Sequence, residues 1–159
     1  MEAAGLQPGS DTLDHIIEAD SAVVVLRAEQ ADLVVEQFRH VTRRSGQTVY
    51  VWHPEHGLRS LRDEDVRVPG CRTFGDTMRY VLHSMHFGVY VLTGMRGKLG
   101  KPDLTLLRKL LRGSTEHVRK VVFLSNDEAL LASLGDMASV IGGSVAETRP
   151  RLRDGRWVV

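Results

Sequence analysis

The stretch Thr93-Gly94-Met95-Arg96-Gly97-Lys98-Leu99-Gly100-Lys101 is where this chain comes nearest to phosphate chemistry. Glycine amides can point at an anion, and Arg96, Lys98 and Lys101 can neutralise it. A helix opened by Pro102 and Asp103 would add its N-terminal dipole. An anion or nucleotide site is therefore considered at Gly94, Arg96, Gly97, Lys98, Gly100 and Lys101. The spacing is not that of a Walker A loop, which needs Gly, four residues, then Gly-Lys-Ser/Thr. Gly94 lies one residue too far from Gly100, and Pro102 stands where a magnesium-binding hydroxyl would be. A surface loop places the same demands on glycine, so no cofactor is expected, with a nucleotide as the alternative.

Other chemistry-bearing residues are scattered. His53 and His56 are spaced to share a metal, as are His83 and His86. Glu55 is the one carboxylate inside the first pair, and no cysteine or further histidine pair lies near either in sequence. Both pairs read as ordinary polar histidines, and no metal site is expected. Cys71 sits in a Pro-Gly-Cys loop, but no histidine–carboxylate partner can be assigned to it. Ser125-Asn126-Asp127 could reach a ligand, but capping the following helix is their expected job. No residue is assigned a catalytic role, and the chain is expected not to be an enzyme.

The elements that must position these residues are legible from hydropathy. Four apolar runs, Ala22–Leu26, Thr48–Trp52, Gly88–Leu92 and Val121–Leu124, alternate with amphipathic helical segments. The helices are expected at about 11–19, 30–44, 74–85 and 102–112, with a short one ending near Gly135. Ser139-Val140-Ile141 is expected to form a fifth strand, and Leu58 to Cys71 to be irregular with at most a short strand. This pattern predicts a three-layer α/β/α sandwich with a mostly parallel sheet of 4–5 strands, P-loop-NTPase-like or Rossmann-like. Residues 1–10 are expected to be a flexible lead, 11–146 one domain, and 147–159 a basic hairpin or tail. In sheets of this kind ligands sit beyond the carboxyl ends of the strands. Those ends are Arg27–Gln30, His53–Gly57, Thr93–Lys101 and Ser125–Asp127. The first of them is Arg27-Ala28-Glu29-Gln30, without the glycines of a phosphate loop.

Composition narrows the partners. The 159 residues carry a net charge of +1, which argues against a general polyanion binder. The charge is uneven. Residues 1–20 hold five acidic side chains and no lysine or arginine, whereas residues 96–120 hold eight basic side chains against Asp103 and Glu116. A basic surface is expected at Arg108, Lys109 and Arg112, and in the tail at Arg149, Arg151, Arg153, Arg156 and Trp157. It would suit an acidic protein partner first. Nucleic acid ranks last, because stacking aromatics are scarce and no reading motif is present. The single cysteine excludes an internal disulfide and fits a reducing compartment. Neither a signal peptide nor a membrane span is expected, and the chain reads as cytoplasmic.

From Leu13 to Gly142 the chain resembles the degenerate N-terminal domain of two-part AAA ATPases of cyanobacteria, plastids and other bacteria. In these a RecA/AAA-like module without a working P-loop precedes a true ATPase module. The similarity rests on Ile16-Ile17 before the first strand, Glu29 in place of the P-loop, and Val51-Trp52 followed by Gly57-Leu58. It continues through Val89-Tyr90-Val91-Leu92 at the Walker B position, Leu107-Arg108-Lys109-Leu110, and Val121–Ser125 in the sensor 1 strand. Thr93-Gly94 stand where Walker B acids would be expected, and no second AAA module is expected to follow. The resemblance therefore implies a standalone, non-catalytic relative that acts by contact with other proteins. It also leaves open self-association through inherited subunit faces.

Overall fold

A strand that is apolar on both faces is stable only when helices cover both sides, and the computed structural model shows that arrangement. It describes residues 8–63, 66–113 and 117–141. The elements run α1 (Pro8–Glu18), β1 (Val23–Leu26), α2 (Ala31–Ser45), β2 (Val49–His53), β3 (Gly57–Ser60), β4 (Arg67–Val68), α3 (Phe74–His83) and β5 (Gly88–Leu92). There follow α4 (Lys101–Arg112), β6 (Arg119–Leu124), α5 (Glu128–Leu134), a 3-10 turn (Gly135–Met137) and β7 (Ala138–Ile141). Of the expected lead at residues 1–10, residues 1–7 lie outside the described residues and 8–10 belong to α1. The tail at 147–159 also lies outside the described residues.

The strands form one sheet in the order β4-β3-β2-β5-β6-β1-β7. Five of them, β2, β5, β6, β1 and β7, are parallel, and β3 and β4 extend the β2 edge antiparallel. Among the described residues the sheet therefore has seven strands rather than 4–5, because part of the segment expected to be irregular folds as a meander. Taken in chain order, the parallel strands lie 2-3-4-1-5, unlike the Rossmann or flavodoxin orders. The connection from β1 to β2 runs one way across the sheet, and its helix α2 packs with α1 on one face. The later crossovers run back the other way, and α3, α4 and α5 pack on the opposite face. A crossover hand that stays constant while direction reverses requires that change of face.

Side chains alternate into two cores. Val24, Leu26, Val89, Val91, Val122 and Leu124 meet Phe38 of α2 and Ile16 of α1. Val23, Val25, Tyr90, Leu92, Val121 and Phe123 meet Met78, Leu107 and Leu130 of the other three helices. The periodicity of α3 predicts Met85 facing inward, but the helix stops at His83 and Ser84 is extended (φ −71°, ψ 135°). Met85 is consequently 72% exposed. No helix of the described residues is long and apolar enough to cross a membrane.

Candidate functional site

Strands β1 and β6 are neighbours whose following helices go to opposite faces, so the crevice beyond their carboxyl ends is the topological switch point. In this chain an ion pair spans it. Arg27 Nη1 donates to Glu128 Oε2 at 3.0 Å and Nη2 donates to Glu128 Oε1 at 3.3 Å, a two-pronged contact. The hydrogen bond and charge of Arg27 hold the Glu128 carboxyl below its usual range, and Glu128 raises Arg27 in turn. Beside the pair a cleft of about 240 Å³ is lined by Val25, Leu131, Ala138 and Val140. On the other side, at the first turns of α2, the surface concavity is acidic, with Glu29, Asp32 and Glu36 around Leu33. Gln30, at the N-cap of α2, makes no side-chain capping bond.

The glycine-containing loop is tied down. Thr93 closes onto the β2 end, its Oγ1 donating to Trp52 O at 2.9 Å. Gly94 has φ +76°, and a Cβ there would lie 2.7 Å from His53 Nε2. Leu99 is buried, and its amide donates to Ser133 Oγ of α5 at 3.2 Å. Asp127 caps α5 by accepting from the Leu130 amide at 2.9 Å. That bond is the largest influence holding its carboxyl below the usual range; the amides of Gly97 and Ala129 and the charge of Arg96 add to it. The loop amide at Gly97, considered above for an external anion, thus faces an internal carboxylate. Arg96, Lys98, Gly100 and Lys101 are exposed around it.

Arg108, Lys109 and Arg112 lie exposed on α4, opposite buried Leu107 and Leu110. At 3.6 residues per turn, Lys101, Arg108 and Arg112 fall within about 40° around the helix, one basic stripe. Two of the eight cations counted in this region serve the fold instead. Arg119 Nη1 donates to Val81 O (3.1 Å) and Leu82 O (2.9 Å), satisfying carbonyls at the end of α3. Lys120 Nζ donates to Ala19 O (2.6 Å) and Ser21 O (2.9 Å), and burial lowers its ammonium pKa. Arg151, Arg153, Arg156 and Trp157 lie outside the described residues.

The histidine pairs separate. His83 and His86 each place Nδ1 against a backbone carbonyl, of Arg79 (2.8 Å) and Phe87 (3.1 Å) respectively. His53 and His56 share a turn with their ring centroids 4.9 Å apart. Cys71 is buried, and burial pushes its thiol pKa up, which suppresses the reactive thiolate. Its carbonyl accepts from Trp52 Nε1 at 3.1 Å. Neither the Arg27–Glu128 pair nor the approach of Asp32 and Arg59 to His53 is visible along the sequence, since each joins separate elements.

The family model for the N-terminal domain of SpoVK-like AAA ATPases matches residues 9–141. The chain belongs to that family. The match spans every described element from α1 to β7. Comparison with curated proteins and with solved structures gives no match.

Proposed function

We propose that this SpoVK-like N-terminal domain is a degenerate, non-catalytic one. It acts as a protein-binding or regulatory subunit of a bacterial cytoplasmic assembly. The observation that carries this reading is the state of the switch-point crevice. A nucleotide-binding relative would offer glycine amides to phosphate there. This chain offers Arg27-Ala28-Glu29-Gln30, with Arg27 engaged by Glu128. Glu29 and Asp32 at the start of α2 oppose its positive end and would repel phosphate. Binding is assigned instead to the basic stripe of α4 with Arg96, Lys98 and Lys101 at its start, and the partner to a protein with an acidic surface.

Thermal unfolding with and without millimolar Mg-ATP or Mg-GTP tests the first half of this reading. No shift in Tm is expected. A ligand at about 100 times its Kd stabilises by roughly 2.7 kcal/mol, a shift of several degrees in a domain of this size. Such a shift would replace the reading with nucleotide binding at Gly94–Lys101, to be checked by Lys98→Ala and Lys101→Ala. The second half is tested by reversing Arg108, Lys109 and Arg112 to glutamate. Partners captured from native cells by the wild type should be lost from the triple variant, and retention of all of them would remove α4 from the interface. A capture that falls steeply with salt and is abolished by added nuclease would point to nucleic acid instead.

A further inference from the structure

The turn between β2 and β3, His53-Pro54-Glu55-His56-Gly57, does more than reverse the chain. His53 and Gly57 are register partners across the hairpin, and the His56 amide donates to His53 O at 3.1 Å. Gly57 at φ +77° completes a reversal that a side chain would strain. The result places one ligand atom each from His53, Glu55 and His56 within 4.8 Å of one another. Beside them opens a cleft of about 290 Å³ that Asp32 of α2, Arg59 and Thr93 also line. It lies at the carboxyl ends of β2 and β5, on the same edge of the sheet as the switch point.

We propose that His53, Glu55 and His56 bind a divalent transition-metal ion, zinc in the first instance, with its remaining position open to the cleft. Two imidazoles and a carboxylate are a donor set for zinc, cobalt or nickel, and not for magnesium or calcium, which take oxygen ligands. The histidine that must be rigid is so. The contact with Gly94, where no side chain would fit, holds the His53 ring. Separately, Nδ1 accepts from the Glu55 amide at 3.0 Å, a bond that a metal at Nδ1 would replace. That hydrogen bond requires Nδ1 to be unprotonated and puts the ring proton on Nε2. A metal on Nδ1 takes the place of the amide hydrogen and needs no change of tautomer. Ligand distances of about 2.0–2.2 Å bring the donors closer together than they stand. Glu55 and His56 are both exposed and can swing inward. Asp32 and Arg59 line the same cleft; a carboxylate there would favour a bound cation and a guanidinium would oppose it. This site stands independently of the protein-binding reading.

The test is titration of the chelator-treated full chain with Zn²⁺ by calorimetry, and with Co²⁺ by visible absorption, which reports coordination geometry. One ion per chain is expected, together with a higher Tm at saturation. His56→Gln carries the test, because His56 is exposed and its replacement leaves the cores intact. It should weaken binding at least about tenfold, as should Glu55→Gln, whereas His83→Gln should not. Metal-free Tm values confirm that each variant folds. Absence of saturable binding, or undiminished binding by His56→Gln, would overturn the proposal.

Discussion

At the scale of single residues, two glycines of one loop separate backbone freedom from close packing. Gly94 and Gly97 both have positive φ, +76° and +83°. A Cβ at Gly97 would meet nothing within 4 Å, whereas one at Gly94 would lie 2.7 Å from His53 Nε2 and 3.0 Å from Pro54 Cδ. Gly97→Ala should therefore lose only the left-handed preference, about 1 kcal/mol. Gly94→Ala adds a steric conflict of about 1–3 kcal/mol to the same strain. Urea unfolding of both variants checks the difference, and equal losses would mean that His53 moves aside freely. Sequence singles out Gly94 by its place among cations. Its contact with His53 joins two strand ends and cannot be seen along the chain. The same is true of His53 itself, whose spacing to His56 is legible while Asp32 and Arg59 around it are not.

At the scale of elements, Asp127 holds α5 and the glycine-containing loop together. α5 has only seven residues, too few to be stable without its cap and packing. Asp127→Ala removes the acceptor for Leu130 and should lower stability. It should also speed hydrogen exchange at the Gly97 and Leu99 amides. Asp127→Asn keeps an acceptor and loses only the charge, so it separates capping from electrostatics. The pH dependence has a definite sign. Asp127 and Glu128 have folded pKa values below their ordinary 3.8 and 4.5. The stability they contribute is therefore present above those ordinary values and is lost as pH falls through the folded ones. Urea midpoints followed from neutral pH down to about pH 3 should decline more gently in Asp127→Asn than in the wild type. A parallel decline would show that other carboxylates set the acid limb.

The elements also show which parts of the architecture sequence can carry. β1, β5 and β6 are apolar runs buried on both faces, and α2 and α4 repeat at helical spacing, so all are readable from hydropathy. β3 and β4 are not. Of Gly57-Leu58-Arg59-Ser60 only Leu58 is buried, and β4 is the two residues Arg67–Val68 at the sheet edge. Short, charged edge strands give no periodic signal, and their charge discourages pairing with other chains.

At the scale of the whole molecule, the strand order that creates the switch point comes from pairings such as Val23↔Val121 and Val23↔Ala138, which no local pattern encodes. The Arg27–Glu128 pair lies across that crevice. Its side chains are 42% and 78% exposed, so solvent screens the attraction. A double-mutant cycle with Arg27→Ala and Glu128→Ala should give only a weak coupling that shrinks as salt rises. The pair is thus an occupant of the crevice rather than a support of the fold. Removing it frees the space beyond β1 without supplying glycine amides to bind phosphate, and it leaves Glu29, Asp32 and Glu36 in place. Mg-ATP should accordingly fail to raise the Tm of the double variant, as of the wild type. Stabilisation of the double variant alone would show that the ion pair is a plug over a retained nucleotide site, and would return the crevice to catalytic ancestry in more than outline.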